Sequence, residues 1–172
     1  MKMTTHSQNN ILQKTRAQIL TKPAPTSKHN EKAFSLLRFK LGLDTYAIES
    51  KYIIEVVGTS NITPLPGVPS FVVGLLFVQG KIWSVIDIRD FFNIPKQGIS
   101  DHPRAILVET SHLRFGIMAD SDLEIINTDC LSPLPDIYEK IPHNFIKGTI
   151  NNTTIVLDLN TLSADTHLIV NN

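Results

Sequence analysis

The chain has 172 residues, 42% of them hydrophobic and 19% charged, which is the composition of a globular protein large enough to bury its own core. Its single cysteine, Cys130, excludes an intramolecular disulfide and a cysteine-rich metal site. Residues 1–33 hold no apolar segment typical of a secretory signal, and no apolar run is long enough to cross a bilayer. We therefore expect a cytoplasmic protein without stable membrane insertion.

The formal net charge is zero, but the charges are unevenly divided. Residues 1–33 carry six basic side chains and one acidic side chain, which gives +5, and the rest carries ten basic and fifteen acidic ones, which gives −5. The basic residues of the first segment are scattered, and no aromatic residue lies between them for stacking on bases. We expect a solvated basic tail and no nucleic-acid partner.

The chain is predicted to begin with a short amphipathic helix. Apolar residues at positions 11, 12, 19 and 20 recur at helical spacing, and a proline- and lysine-rich linker follows at residues 21–32. The predicted organisation is a helix and flexible basic linker over residues 1–33, followed by one globular domain over residues 34–172.

From Phe34 onward, short apolar runs alternate with turn signals, which is typical of β-hairpins. Asn151 and Asn152 both tolerate the left-handed conformation, so they predict a type I′ turn. Residues 87–92 predict a single helical turn, and the tail from Asn160 predicts a short helix. The other turns are expected at residues 42–44, 79–80 and 111–112.

About nine short strands with tight turns predict an all-β fold with short helices, either a barrel or a sandwich. Residues 75–78 are apolar at every position, which predicts a strand buried on both faces between two packed sheets or barrels. No internal repeat is apparent in the residues themselves.

The spacing of reactive residue types does not favour catalysis or metal binding. Residues 74–82 resemble a phosphate-binding loop, but five residues instead of four separate the glycines, and Ile82 stands where the loop needs a hydroxyl. The six histidines are dispersed, without a common ligand spacing. Cys130 has no orienting partner nearby in sequence, although His143 could approach it in space. A small β-barrel hydrolase that uses Cys130 or a carboxylate pair stays open as an alternative.

Asp87 is a carboxylate at the end of an apolar run, where it could be catalytic, a metal ligand or a helix cap. Because it precedes a predicted helical turn, and no second carboxylate or base suited to catalysis lies beside it, the sequence favours a structural N-cap. The carboxylate would then accept a hydrogen bond from a backbone N–H of that turn.

The order and spacing of several motifs resemble the CheW family, the adaptors of bacterial chemosensory arrays. The match extends over residues 34–165, and the family's N-L-R-G-x-I-x-P-V-V-D-L-R pattern aligns with residues 77–89. The other matched segments are residues 39–42 and 46–48, 53–56, 62–74, 116–120 and 146–159.

This resemblance implies two packed five-stranded SH3-like barrels and a scaffold without enzymatic activity or cofactor. It implies that Ile53, Glu55 and Val56 contact the regulatory domain of a histidine kinase. It also implies that the cytoplasmic tip of a chemoreceptor docks beside the hairpin, at Gly74, Phe77, Gln79 and Gly80. The protein would then work in the cytoplasm, at membrane-associated receptor arrays.

The chain departs from the family pattern at this hairpin. Phe77 and Gln79 replace the asparagine and the arginine of the pattern, and Ser84 replaces its proline. The arginine is associated with receptor coupling in the family, and glutamine offers no charged fork. An alternative is therefore a degenerate member that binds the kinase but no receptor, as a spacer or a sequestering protein.

Overall fold

The computed structural model describes residues 33–96, 102–120, 122–134 and 140–168. These residues belong to one unit of the chain, Lys32–Asn172. The predicted N-terminal helix and linker lie outside the described residues, apart from Ala33.

Ten strands and two short α-helices form the described part of the chain, one strand more than predicted. The helices, α1 at Ile88–Phe91 and α2 at Leu159–Ala164, agree with the two predicted helical turns. Two 3₁₀ turns, Ser50–Tyr52 and His143–Phe145, precede β3 and β9. The strands are β1 Phe34–Leu41, β2 Asp44–Glu49, β3 Ile53–Gly58, β4 Val72–Val78, β5 Lys81–Ile86, β6 Arg104–Glu109, β7 Arg114–Ala119, β8 Leu123–Thr128, β9 Ile146–Ile150 and β10 Thr154–Leu157.

The strands form two five-stranded sheets. Sheet A has the order β8-β1-β2-β10-β9, and sheet B has the order β3-β6-β7-β5-β4. Each sheet curls into a barrel. An isolated bridge closes it, joining the segment that follows one edge strand to the edge strand on the other side. Thr63, which follows β3, bridges Leu75 of β4, and Ser132, which follows β8, bridges Thr149 of β9. The expected fold of two five-stranded β-barrels is confirmed.

The two barrels are related by a repeat of strand order that we did not find in the sequence. Strands β1–β5 and α1 form one half of the chain, and β6–β10 and α2 repeat their order in the other half. Local similarities follow the repeat: residues 63–65 read TPL where 132–134 read SPL, and 85–88 read VIDI where 156–159 read VLDL. The repeat escaped detection because strand pairing carries it, with few identical side chains.

Apolar side chains fill three clusters. The largest lies between the barrels and includes Phe39 and Tyr46 of sheet A with Phe115 and Ile117 of sheet B. Smaller clusters lie inside the barrels, around Trp83 in sheet B and around Leu36, Ala47 and Val156 in sheet A.

The prediction that residues 75–78 are buried on both faces is wrong. Leu76 is buried inside barrel B, but the side chain of Phe77 is 71% exposed on the other face. Sheet A covers the outer face of sheet B over the shared core, and the tip of the β4–β5 hairpin extends beyond that cover.

Candidate docking site

The β3 strand carries the three residues that the resemblance assigns to kinase binding. Its pairing with β6 places Ile53 opposite Val108 and Glu55 opposite Leu107, so Ile54 is an extra residue in a β-bulge. Because paired residues share a face and neighbours alternate, Glu55 faces away from Ile53 and Val56. The bulge thus separates the carboxylate from the two apolar side chains.

The two apolar residues of this set differ in exposure. Ile53 packs against the shared core, whereas Val56 is 37% exposed. The bulged residue, Ile54, is 54% exposed, although it was not predicted as a site residue. Ile54 and Val56 are therefore the apolar side chains of β3 that a partner can reach.

Gly74 lies where the chain after β3 presses on β4. A Cβ atom at this position would lie 2.4 Å from the carbonyl oxygen of Thr63 and 2.8 Å from Cγ2 of Ile62. Its φ of +153° is also one that side-chain-bearing residues rarely adopt. Gly74 therefore positions β4 by close packing, and it presents no side chain to a partner.

Gln79 and Gly80 form the tight turn between β4 and β5. Both have positive φ values, 49° and 78°, as a type I′ turn requires. The Gln79 side chain amide donates a hydrogen bond to Oε2 of Glu55, with Nε2 and Oε2 2.8 Å apart. The residues assigned to two different partners are therefore in direct contact with each other.

Phe77 and Ile82 form a second feature of the hairpin. They are paired across β4 and β5, and their side chains are 71% and 68% exposed. Paired residues lie on the same face of a sheet, so the two side chains form one apolar patch near the Gln79–Gly80 turn. Ile82 was not predicted as a site residue, although the apolar alternation of β5 suggests its outward position.

Asp87 stands at the N-cap of α1, where its carboxylate accepts a hydrogen bond from the backbone N–H of Arg89 at 3.0 Å. The Arg89 guanidinium also donates to both carboxylate oxygens, with Nε 3.0 Å from Oδ1 and Nη2 2.8 Å from Oδ2. Lys96 Nζ lies 3.4 Å from Oδ2 and 2.6 Å from a carboxylate oxygen of Asp90. Asp87 is 3% exposed, so its pair with Arg89 is largely screened from water, whereas Lys96 is half exposed.

Two opposing effects act on the pKa of Asp87. Burial alone would raise the pKa of this carboxyl, but the hydrogen bonds from Arg89 and the charges of Arg89 and Lys96 outweigh it. The net result is a pKa below the usual range, and the carboxylate stays ionised. Its contacts hold together the strand end, the helical turn and the chain that follows.

The twofold repeat identifies a cap that the sequence reasoning did not find. Asp158 precedes α2 and accepts hydrogen bonds from the backbone N–H groups of Asn160 and Thr161, at 3.0 and 3.1 Å. The shared pattern of residues 85–88 and 156–159 is the signal that could have revealed it. The last strand of each half of the chain is therefore followed by an aspartate-capped helix.

Within the described ranges, no three His, Cys, Asp or Glu side chains are grouped so that they could hold a metal ion. Cys130 is exposed, and Thr128 donates a hydrogen bond to its carbonyl oxygen. In the same part of the chain, no helix has the length and apolar character needed to cross a membrane.

Comparison with known sequences identifies a family. A model of the CheW-like domain matches residues 35–167. The chemotaxis protein CheW of Treponema pallidum is 24% identical over 149 residues, which cover 81% of this chain and 87% of that protein. Protein FrzA of Myxococcus xanthus is 27% identical over 97 residues, which cover 56% of this chain and 61% of FrzA.

The fold comparison agrees. The crystal structure of the scaffolding protein TtCheW from Thermoanaerobacter tengcongensis superposes with a TM-score of 0.63 at 28% identity, covering 73% of this chain and 88% of that one. Residues 35–167, which the family model matches, include both barrels, the β3 bulge and the β4–β5 hairpin. The chain belongs to the family of CheW-like domain proteins.

Proposed function

We propose that this protein is an adaptor of a bacterial chemosensory pathway, which couples chemoreceptors to a histidine kinase. The observation that carries the proposal is the family match over residues 35–167, which covers both barrels. The match to a protein described as a scaffold supports the same role. An adaptor of this kind works through surface shape and apolar contacts, without chemistry of its own, so the proposal includes no enzymatic activity.

The proposed kinase-binding surface lies on β3. Ile54 and Val56 are exposed apolar side chains, and Glu55 is a partly buried carboxylate that contacts only a neutral amide, Gln79, among its described hydrogen bonds. Because Glu55 and Val56 point to opposite faces of this edge strand, a partner would have to reach both faces, with an apolar patch against Ile54 and Val56 and a basic side chain against Glu55. Ile53 supports this surface from the core side.

The proposed receptor-binding surface lies on the hairpin. Phe77 and Ile82 supply an apolar contact, Gln79 and Gly80 shape the turn, and Gly74 positions the strand. Contact with the receptor here would be more apolar than in relatives that carry arginine at position 79. We therefore expect receptor binding to depend weakly on salt, because exposed ion pairs are screened and apolar contacts are not.

The kinase-only alternative has one observation in its favour, the neutral Gln79 side chain that is already bonded to Glu55. Against it, the exposed pair of Phe77 and Ile82 remains available to a receptor. In both cases the protein would act in the cytoplasm, and binding to receptors would bring it to membrane-associated arrays.

The kinase part of the proposal is tested by titration with the regulatory domain of the host's kinase. Glu55→Lys should weaken binding by about 2–5 kcal/mol, because a basic group of the partner would lose its carboxylate and meet a like charge. Asp122→Lys is the matched control, since it makes the same charge change at an exposed position just before β8. Equal affinities of the parent protein and Glu55→Lys would contradict the assignment of β3.

A further inference from the structure

Of the five carboxylates on the ten strands, four are paired with a basic side chain of the same chain. The pairs are Asp44 with Lys140, Glu49 with Lys51 and Lys147, Glu109 with Arg114, and Glu124 with Arg38. Glu55 of β3 differs from them, because its carboxylate accepts a hydrogen bond from the neutral amide of Gln79 and pairs with no basic side chain within the described residues. Its negative charge is therefore not neutralised by this part of the chain.

The contact between Gln79 and Glu55 depends on two backbone features. The β4–β5 turn gives Gln79 a φ of 49°, and the bulge at Ile54 interrupts the regular alternation of β3 just before Glu55. Nε2 of Gln79 and Oε2 of Glu55 lie 2.8 Å apart. An arginine at position 79 has a longer side chain with several charged N–H donors, so it would reach the same carboxylate and form an ion pair with it.

Glutamine and arginine at position 79 differ in the charge that they leave on Glu55. Glutamine holds the carboxylate through a neutral hydrogen bond, so the negative charge stays available to a basic group of a partner. Arginine would neutralise that charge, and a basic group of the partner would have to displace the guanidinium or be repelled by it. The difference between the two residues therefore lies in charge more than in shape.

We propose that Gln79 is a positioning residue for kinase binding, which holds the Glu55 carboxylate in place and leaves its charge to a lysine or arginine of the kinase regulatory domain. This inference rests on the proposed function and deepens it, because the resemblance assigns Gln79 to the receptor alone. Position 79 then acts on the two partners in opposite directions. Glutamine favours binding of the kinase, and arginine favours binding of the receptor.

The test is a titration of the full chain with the regulatory domain of the host's kinase, at low and at high salt. Gln79→Arg should bind this domain about two- to fivefold more weakly than the parent protein at low salt, which is what an exposed ion pair contributes. The loss should be smaller at high salt, because salt screens the contact between Glu55 and the basic group of the partner.

Two further variants separate the effect of charge from an effect on structure. Gln79→Met removes the amide and adds no charge, so it should bind the kinase domain more tightly than Gln79→Arg. Glu55→Gln should weaken binding by itself, and in that background Gln79→Arg should change the affinity by less than about twofold. Gln79 is exposed, so unfolding midpoints of its variants should stay close to that of the parent, which checks that each protein is folded.

Each contrary result identifies what has failed. Equal affinities of the parent and Gln79→Arg would overturn this inference and leave the proposed function intact. It would also be overturned by an equal loss in Gln79→Met and Gln79→Arg, or by an equal loss from Gln79→Arg with and without the Glu55 carboxylate, because the effect would then not depend on that charge. A parent protein that does not bind the kinase domain would overturn the proposed kinase surface together with this inference.

Discussion

At the scale of single residues, Asp87 and Gly74 do most to position the candidate site, and neither needs to touch a partner. Asp87 ties the end of β5 to α1 through Arg89 and Lys96. Gly74 lets the chain after β3 reach β4. Both residues position the β4–β5 hairpin: Asp87 follows its second strand, and Gly74 lies in its first strand.

The pH dependence of stability should report the ionised state of Asp87. Its pKa is lowered in the folded protein, so its contribution to stability is present above its unfolded pKa, about 3.9, and is lost as the pH falls through the folded value. The parent protein should therefore lose more stability than Asp87→Asn as the pH is lowered from about 5. Denaturant unfolding across this range measures the difference.

At neutral pH the same variant should be less stable than the parent by about 3 kcal/mol, because the Arg89 guanidinium, only 13% exposed, would lose its carboxylate. Asp122→Asn, which changes a carboxylate that is 66% exposed, should alter stability by less than about 1 kcal/mol. Unfolding midpoints of Asp87→Asn and the parent that coincide at pH 7 would show that the network contributes nothing.

Gly74→Ala should destabilise the protein more than Gly67→Ala. Both glycines have positive φ, 153° and 74°, so both substitutions strain the backbone, by roughly 1–2 kcal/mol. Only at Gly74 would the new Cβ also overlap the Thr63 carbonyl, whereas nothing lies within 4 Å at Gly67. Unfolding midpoints rank the two variants, and equal losses would mean that the close approach at Gly74 relaxes without cost.

At the scale of the element, the β4–β5 hairpin departs from the family pattern at Phe77, Gln79 and Ser84. Its turn contacts β3 through the hydrogen bond between Gln79 and Glu55, and its outer face presents Phe77 and Ile82. The two proposed docking surfaces therefore meet at this hairpin.

Gln79→Arg should strengthen binding to a receptor tip by an amount of order 1 kcal/mol, because it restores a charged donor. Glu55 lies within reach and would compete for the new guanidinium, so the gain should be larger in Gln79→Arg combined with Glu55→Gln. Fold stability should change by less than about 0.5 kcal/mol, since Gln79 is exposed. Affinities of the parent and the two variants for a receptor fragment, at low and high salt, measure the gain in binding. Equal affinities of all three proteins would show that position 79 plays no part in receptor binding.

Phe77→Ser should weaken receptor binding without a loss of stability, because the side chain is 71% exposed. Val78→Ser is the matched control for folding, since Val78 packs against the core of barrel B and its substitution should lower stability instead. A Phe77→Ser protein with unchanged receptor affinity would place the receptor contact elsewhere.

The strands and turns could be read from the sequence because they depend on local patterns. The type I′ turn at Asn151 and Asn152 is confirmed by φ values of 52° and 56° and by the hydrogen bond from Thr153 N–H to the Ile150 carbonyl. The bulge at Ile54 could not be read, because it depends on which residues of β6 lie opposite. The exposure of Phe77 could not be predicted either. An apolar run in the sequence does not show how far the neighbouring sheet extends over it.

At the scale of the whole molecule, two barrels share one core, and both proposed docking surfaces lie on one of them. The residues that form these surfaces were taken from a family pattern, and their contact through Gln79 and Glu55 became visible only in the folded chain. If both proposed surfaces bind partners, a partner that takes Glu55 would release the Gln79 side chain.

One measurement tests most directly whether this protein couples a kinase to a receptor. The full chain, the regulatory domain of the host's kinase and a receptor cytoplasmic fragment are mixed in pairs and together, and the complexes are sized by sedimentation. The account predicts two binary complexes, each containing this protein, and a ternary complex that does not form when it is omitted. Binding of the kinase domain alone, in the absence and in the presence of the receptor fragment, would contradict the coupling role and favour the kinase-only alternative.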